Sequence, residues 1–134
     1  MVLDDFIAMI VADGHGTSGT NLFKGAMRAA PDEQVVVAEY AGDVAWAVFG
    51  VDVSDEAPGV QVKTRGKAEE YDAPRLLLEQ IAQDLRARGA FTVNSTRYAD
   101  LHQVQPVFPL GRDGNRRYQF GVNFIARKEP TSVP

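Results

Sequence analysis

Residues 118–124 read YQFGVNF, where Tyr118, Phe120, Val122 and Phe124 alternate with Gln119, Gly121 and Asn123 in a strict two-residue period. Successive side chains of a strand point to opposite faces, so this segment is a strand with an apolar side and a polar side. A second stretch repeats the pattern. Val60, Val62 and Thr64 fall on one face, and Gln61, Lys63 and Arg65 on the other. The first face is buried; the second is expected to meet solvent or a partner. Between the two lies the strongest helix signal of the chain, from about Asp72 to Arg88. Leu77, Leu78, Ile81 and Leu85 form one apolar stripe. Asp72 is placed to cap the helix, and Pro74 sits in the first turn, where a missing N–H is harmless. Arg86 and Arg88 suit the negative C-terminal end, and Gly89 is a stop.

The remaining segments are shorter. Leu3, Phe6, Ile7, Ile10 and Val11 recur at helical spacing behind Asp4 and Asp5, which suit the positive end of a helix dipole. QVVVAEY at 34–40 is an apolar, β-branched strand. Residues 41–58 mix Gly42, Gly50 and Pro58 with Trp46 and Phe49, as a long loop or extended arm does. Phe91 to Val107 reads as extended chain, and GRDGN at 111–115 is a turn. The order helix, strand, strand, helix, strand, strand predicts an α+β domain. Its sheet is mainly antiparallel, of about four strands, with two helices packed on one face. One domain is expected over residues 1–128, followed by a flexible polar tail at 129–134.

GHGTSG at 14–19 spells the G-x-G-x-x-G of dinucleotide-binding loops. That chemistry needs a strand before the loop and a helix after it. Here the preceding segment has helical spacing, and the following one is broken by Gly25 and Pro31. A six-stranded dinucleotide fold would also need more than 134 residues. Gly14 is therefore a helix stop, and the loop is a turn.

The formal net charge of −4 argues against binding that works by neutralising phosphates. With no cysteine there is no disulfide framework and no thiolate chemistry. The first apolar run follows acidic rather than basic residues, so it is not read as a signal peptide, and synthesis in the cytoplasm is expected. His15 and His102 show no metal-ligand spacing, and Ser18 and Ser95 lack a nucleophile elbow. Asp52, Asp55 and Glu56 read as a solvated loop. Glu69, Glu70 and Asp72 read as a helix N-terminus. Lys63, Arg65 and Lys67 are explained by strand alternation. No catalytic residue, metal or cofactor is called for.

Taken in order, GTNLF, PDEQVVVAEYAG, APGVQVKTRG, a helix and SxxYADLHQVQPVFPLGRDGNRRYQFGVNFIARK resemble the tail terminator (minor capsid, or tail completion) proteins of long-tailed double-stranded-DNA bacteriophages. The resemblance spans nearly the whole chain. Its most specific part is the order PGVQV-x-x-RG, helix, LGxDxxxR, NF. It implies a structural virion protein without enzymatic activity, made in the bacterial host. Such a protein forms a ring, usually a hexamer, that caps the head-proximal end of the tail tube, ends tube polymerisation and presents the head-docking surface. The implied partners are further copies, the tail tube protein and a head-completion or connector protein. Packaged DNA passes through the lumen without specific binding, and no membrane is involved. Another head–tail connector or tail-tube component is the alternative. A ring joins one patch to a different patch on the next copy. The candidate patches are the open sheet edges, the apolar arm with Val44, Trp46, Val48 and Phe49, and the charges Arg65, Arg112, Asp113 and Arg116, where arginine suits bidentate pairing across an interface.

Overall fold

The computed structural model describes residues 2–44 and 56–128. The elements run α1 (Val2–Ala12), β1 (Leu22–Lys24), β2 (Gln34–Val44), β3 (Glu56–Ala68), α2 (Asp72–Ala87), β4 (Phe91–Val93), β5 (Thr96–Gln103), β6 (Phe108–Arg112) and β7 (Arg117–Lys128). The strands form one sheet in the order β1-β2-β3-β7-β5-β4, with β6 paired to β7 as well. The α+β class and the two helices stand. The strand count does not: the described residues form a sheet of seven strands rather than about four, and β1 runs parallel to β2.

The extra strands come from segments without a usable period. β1 has three residues, too few to alternate. The extended stretch from Phe91 is a hairpin, β4 on β5, turned by Asn94 and Ser95 with φ of 47° and 65°. Left-handed conformations at both turn positions match the twist of the flanking strands, here without glycine.

Directly opposed residues of an antiparallel pair share a face. Val37, Val62 and Val122 make one row, and Val35, Thr64 and Phe120 the next. Both helices lie on this face. Phe6, Met9 and Ile10 of α1 join Leu78, Ile81 and Leu85 of α2 in one buried cluster with Val60, Val62, Val122 and Phe124. Val11 is the exception in the predicted α1 stripe, being exposed. Two glycines of β3 mark close approaches. A Cβ at Gly59 would lie 2.7 Å from the Tyr40 ring, and one at Gly66 would lie 2.9 Å from Pro74. Beside Gly66, the Thr64 hydroxyl donates to Pro74 O at 2.8 Å, so the first turn of α2 is pinned to the sheet.

The N-cap of α2 is Tyr71, with no side-chain cap; Asp72, expected as the cap, is the first helical residue. Its benefit is therefore to the helix dipole only. α1 ends as predicted. Gly14 at φ 81° donates to Val11 O, and His15 N donates to Ile10 O, the paired bonds of a Schellman stop. The glycine loop is a helix terminus.

A candidate assembly surface at the end of the sheet

Arg65 lies on the polar face of β3, as its alternation requires, but it does not meet solvent. Its side chain is 3% exposed. The loop at residues 28–32 folds over this end of the face, and its carbonyls receive the guanidinium. Nε donates to Asp32 O at 3.0 Å, and Nη2 donates to Pro31 O at 2.7 Å and to Ala29 O at 3.4 Å. Gln34 holds the same loop through Arg28 and Pro31. Periodicity assigns a side chain to a face but does not reveal what covers that face.

A second guanidinium completes the arrangement. Arg117 Nη1 donates to Ala29 O at 2.8 Å and to Asp32 Oδ1 at 3.0 Å, while Nε donates to Asp113 Oδ2 at 2.8 Å. Asp113 Oδ1 accepts the backbone N–H groups of Asn115 and Arg117 at 2.9 and 3.0 Å. Asp113 thus builds the β6–β7 turn and also serves both arginines, with Arg65 Nη1 3.8 Å from Oδ2. Two cations and two carboxylates, with three backbone carbonyls, satisfy one another.

The charges feel this environment. Burial, and after it the adjacent Arg117 guanidinium, push Arg65 below the ordinary arginine value. Burial acts the same way on Arg117, but hydrogen bonds from its guanidinium to Asp32 and Asp113 outweigh it and raise the value. Burial alone would raise Asp113. The backbone N–H and guanidinium of Arg117, with the N–H of Asn115, reverse that and hold the carboxyl below the ordinary aspartate value.

Arg112 and Arg116 lie outside the knot. Both pair with Glu69, at 3.7 and 3.0 Å, and remain 46% and 69% exposed. Arg112 lies over the Tyr118 ring at 5.7 Å, and Tyr71 meets Tyr118 and Phe120 edge-on at 5.1 and 5.0 Å. The four charges predicted as one contact set therefore divide. Arg65 and Asp113 hold the turn from within, and Arg112 and Arg116 are displayed on it. Trp46 and Phe49 lie outside the described residues. Arg117 and Asp32 were not singled out from the sequence. The signal for Arg117 was present, because it is the terminal arginine of LGxDxxxR.

The histidines serve elsewhere. His15 Nε2 meets Asp84 Oδ2 at 2.6 Å, and His102 lines an open groove beside α2. Among the described residues no group of three or more His, Cys, Asp or Glu could hold a metal ion, and no helix is long and apolar enough to cross a membrane.

A buried ionic knot thus holds an exposed turn on an α+β domain. The family profile described as "Bacteriophage tail terminator protein" matches residues 9–130, and the chain belongs to that family. The family is one of structural tail proteins and not an enzyme class. A chain of the solved structure described as "Virion of native gene transfer agent (GTA) particle" has a similar fold. Its TM-score is 0.60 at 13% identity, covering 92% of this chain and 84% of that one. No curated protein matches the sequence. The protein is a structural component of a phage tail, located in the virion.

Proposed function

We propose that the chain forms a closed ring, most simply a hexamer, at the head-proximal end of the tail tube. There it ends tube polymerisation and presents the surface to which the filled head docks. The observation that carries this reading is the terminator-family match over residues 9–130. The architecture supports it. β4 and β1 are short edge strands at the two ends of an open sheet, and the protruding β6–β7 turn is rigidly held and donor-rich. Neighbouring copies and the tube can use separate surfaces of this kind. The partners are the tail tube protein on one side and a head-completion or connector protein on the other. DNA passes through the lumen without specific contacts, as the net charge of −4 suits. The unit of folding is residues 1–128.

The test is a symmetry-free map of intact virions, together with tail lengths in a lysate lacking the protein. A single ring at the head end, and overlong tails without it, are expected. Copies repeating along the tube would replace the reading with that of a tube component. Normal tail lengths with defective head joining would replace it with that of another connector.

A further inference from the structure

The sequence contains two Asp–Gly pairs, Asp13–Gly14 and Asp113–Gly114, and no Asn–Gly pair. An Asp–Gly pair is unusually open to self-modification. The glycine nitrogen attacks the aspartate Cγ and an N–Cγ bond forms. The N–H proton and a carboxyl OH leave together as water, giving a succinimide ring. Water then opens the ring at either carbonyl, and opening at the α-carbonyl reroutes the backbone through the side chain as isoaspartate. Glycine favours the attack because no Cβ hinders its nitrogen. One pair lies at the end of α1 and the other in the β6–β7 turn, and both glycines are exposed.

Yet each aspartate is held by an arginine. Arg88 Nη1 donates to Asp13 Oδ2 at 2.7 Å and Nη2 donates to Oδ1 at 2.9 Å, a two-point fork. Arg117 Nε donates to Asp113 Oδ2 at 2.8 Å, while the N–H groups of Asn115 and Arg117 fix Oδ1 at 2.9 and 3.0 Å. The two aspartate side chains are only 19% and 18% exposed. Both oxygens of each carboxylate are thus engaged, and the carbon between them cannot swing toward the glycine nitrogen without breaking charge-assisted bonds. Gly14 N is engaged as well, donating to Val11 O at 3.0 Å. We infer that both Asp–Gly pairs are latent isomerisation sites, each kept closed by its own arginine, Arg88 or Arg117. At residue 113 the reaction carries a structural consequence. It adds one methylene to the backbone of the turn and moves the free carboxylate away from Arg117, so an aged chain of unchanged mass loses the knot.

The test follows both sites in one chain. The full-length protein, Arg88→Lys and Arg117→Lys are checked for folding by circular dichroism and aged at neutral pH and physiological temperature. Isoaspartate is read at each pair from a peptide digest, where it changes chromatographic retention but not mass. The folded wild type should isomerise several-fold more slowly at both pairs than the same chain in guanidinium chloride, a comparison that needs no variant. An ammonium cannot hold two oxygens as the guanidinium fork does. Each lysine variant should therefore isomerise several-fold faster at its own pair and at the wild-type rate at the other. Gly114 has open space where a Cβ would stand, so Gly114→Ala added to Arg117→Lys should suppress the reaction at residue 113. Equal rates in the folded and denatured wild type overturn the inference. So does a lysine variant unchanged at its own pair, and so does acceleration at both pairs together, which is general loosening of the fold.

Discussion

Arg117 and Asp113 are joined at three points. The carboxylate receives the Arg117 backbone N–H at 3.0 Å and its Nε at 2.8 Å, and the Arg117 carbonyl accepts the Asp113 N–H at 3.1 Å. One residue pair thus closes the β6–β7 turn and supplies one cation and one carboxylate of the buried knot. Removing one partner of a buried, hydrogen-bonded ion pair leaves the other charged and unmatched. Arg117→Ala is expected to destabilise the chain by about 3 kcal/mol in urea unfolding, with Arg117→Lys less damaging but short of the wild type, because an ammonium cannot supply the fork. A neutral result for Arg117→Ala would mean that water replaces these bonds.

Acid should loosen the same knot. The Asp113 carboxyl is held below its ordinary value, so its contribution is fully present above the ordinary aspartate range and is lost as pH falls through the depressed value. Unfolding midpoints measured between neutral pH and about pH 3 should fall at the acid end for the wild type, and fall less for Asp113→Asn, which starts lower. Parallel curves for the two proteins would place the acid sensitivity elsewhere.

A second buried polar contact lies on the helical side of the sheet. Asp5 on α1, 1% exposed, accepts the Tyr98 hydroxyl and the Asn94 amide, the latter at 2.9 Å. Burial first, and then the Asp5 hydrogen bond and charge, raise the Tyr98 hydroxyl above its ordinary value. A raised value means that the stabilising neutral form is fully present below about pH 10 and lost as pH climbs through the folded value. Tyr98→Phe should cost about 1–3 kcal/mol at neutral pH by leaving a buried acceptor unmatched. It should also delay alkaline unfolding relative to its own neutral stability. Unchanged urea midpoints for the variant would show the hydroxyl to be dispensable.

What the sequence revealed follows from which patterns have a period. The 118–124 alternation and the α2 stripe correspond to rows of buried residues, and Gly14 forms the stop that its position implied. Asp5 is spaced as a surface acid, yet it is buried because Tyr98 and Asn94, more than 80 positions away, come to meet it. Arg65 misleads in the same way: its face was legible, but the covering loop, a non-periodic segment bearing Pro31, was not. The hairpin at Asn94–Ser95 lacked the glycine that usually announces such a turn. Long-range polar partners are invisible to local pattern, and they separate Arg65 and Asp113 from Arg112 and Arg116.

The α2 stripe carries the most direct stability test. Ile81 is fully buried among side chains of α2 and the sheet, with Leu78 and Leu85 one turn to either side. Ile81→Ala removes three carbons from a close-packed layer and should cost about 2–5 kcal/mol in urea unfolding, with an unchanged denaturant slope. Leu76, exposed on the same helix, should tolerate alanine within about 0.5 kcal/mol. Equal effects at the two positions would mean that the helix packs on another face.

Assembly should be tested where charge is displayed rather than used. A charge reversal at Asp113 would place a third cation against Arg65 and Arg117, so its first effect is on folding. Arg116 differs: it is 69% exposed, and its ion pair with half-exposed Glu69 is of a kind worth under about 1 kcal/mol. Arg116→Glu should therefore leave the unfolding midpoint within about 0.5 kcal/mol of the wild type. If the displayed turn makes the contacts proposed for it, tails assembled with this variant should be overlong or fail to join heads. The two measurements are read together. A stable, folded variant that still gives normal virions would remove Arg116 from the assembly surface, whereas a folded variant with unregulated tail length would place the contact on the turn that Arg117 and Asp113 hold.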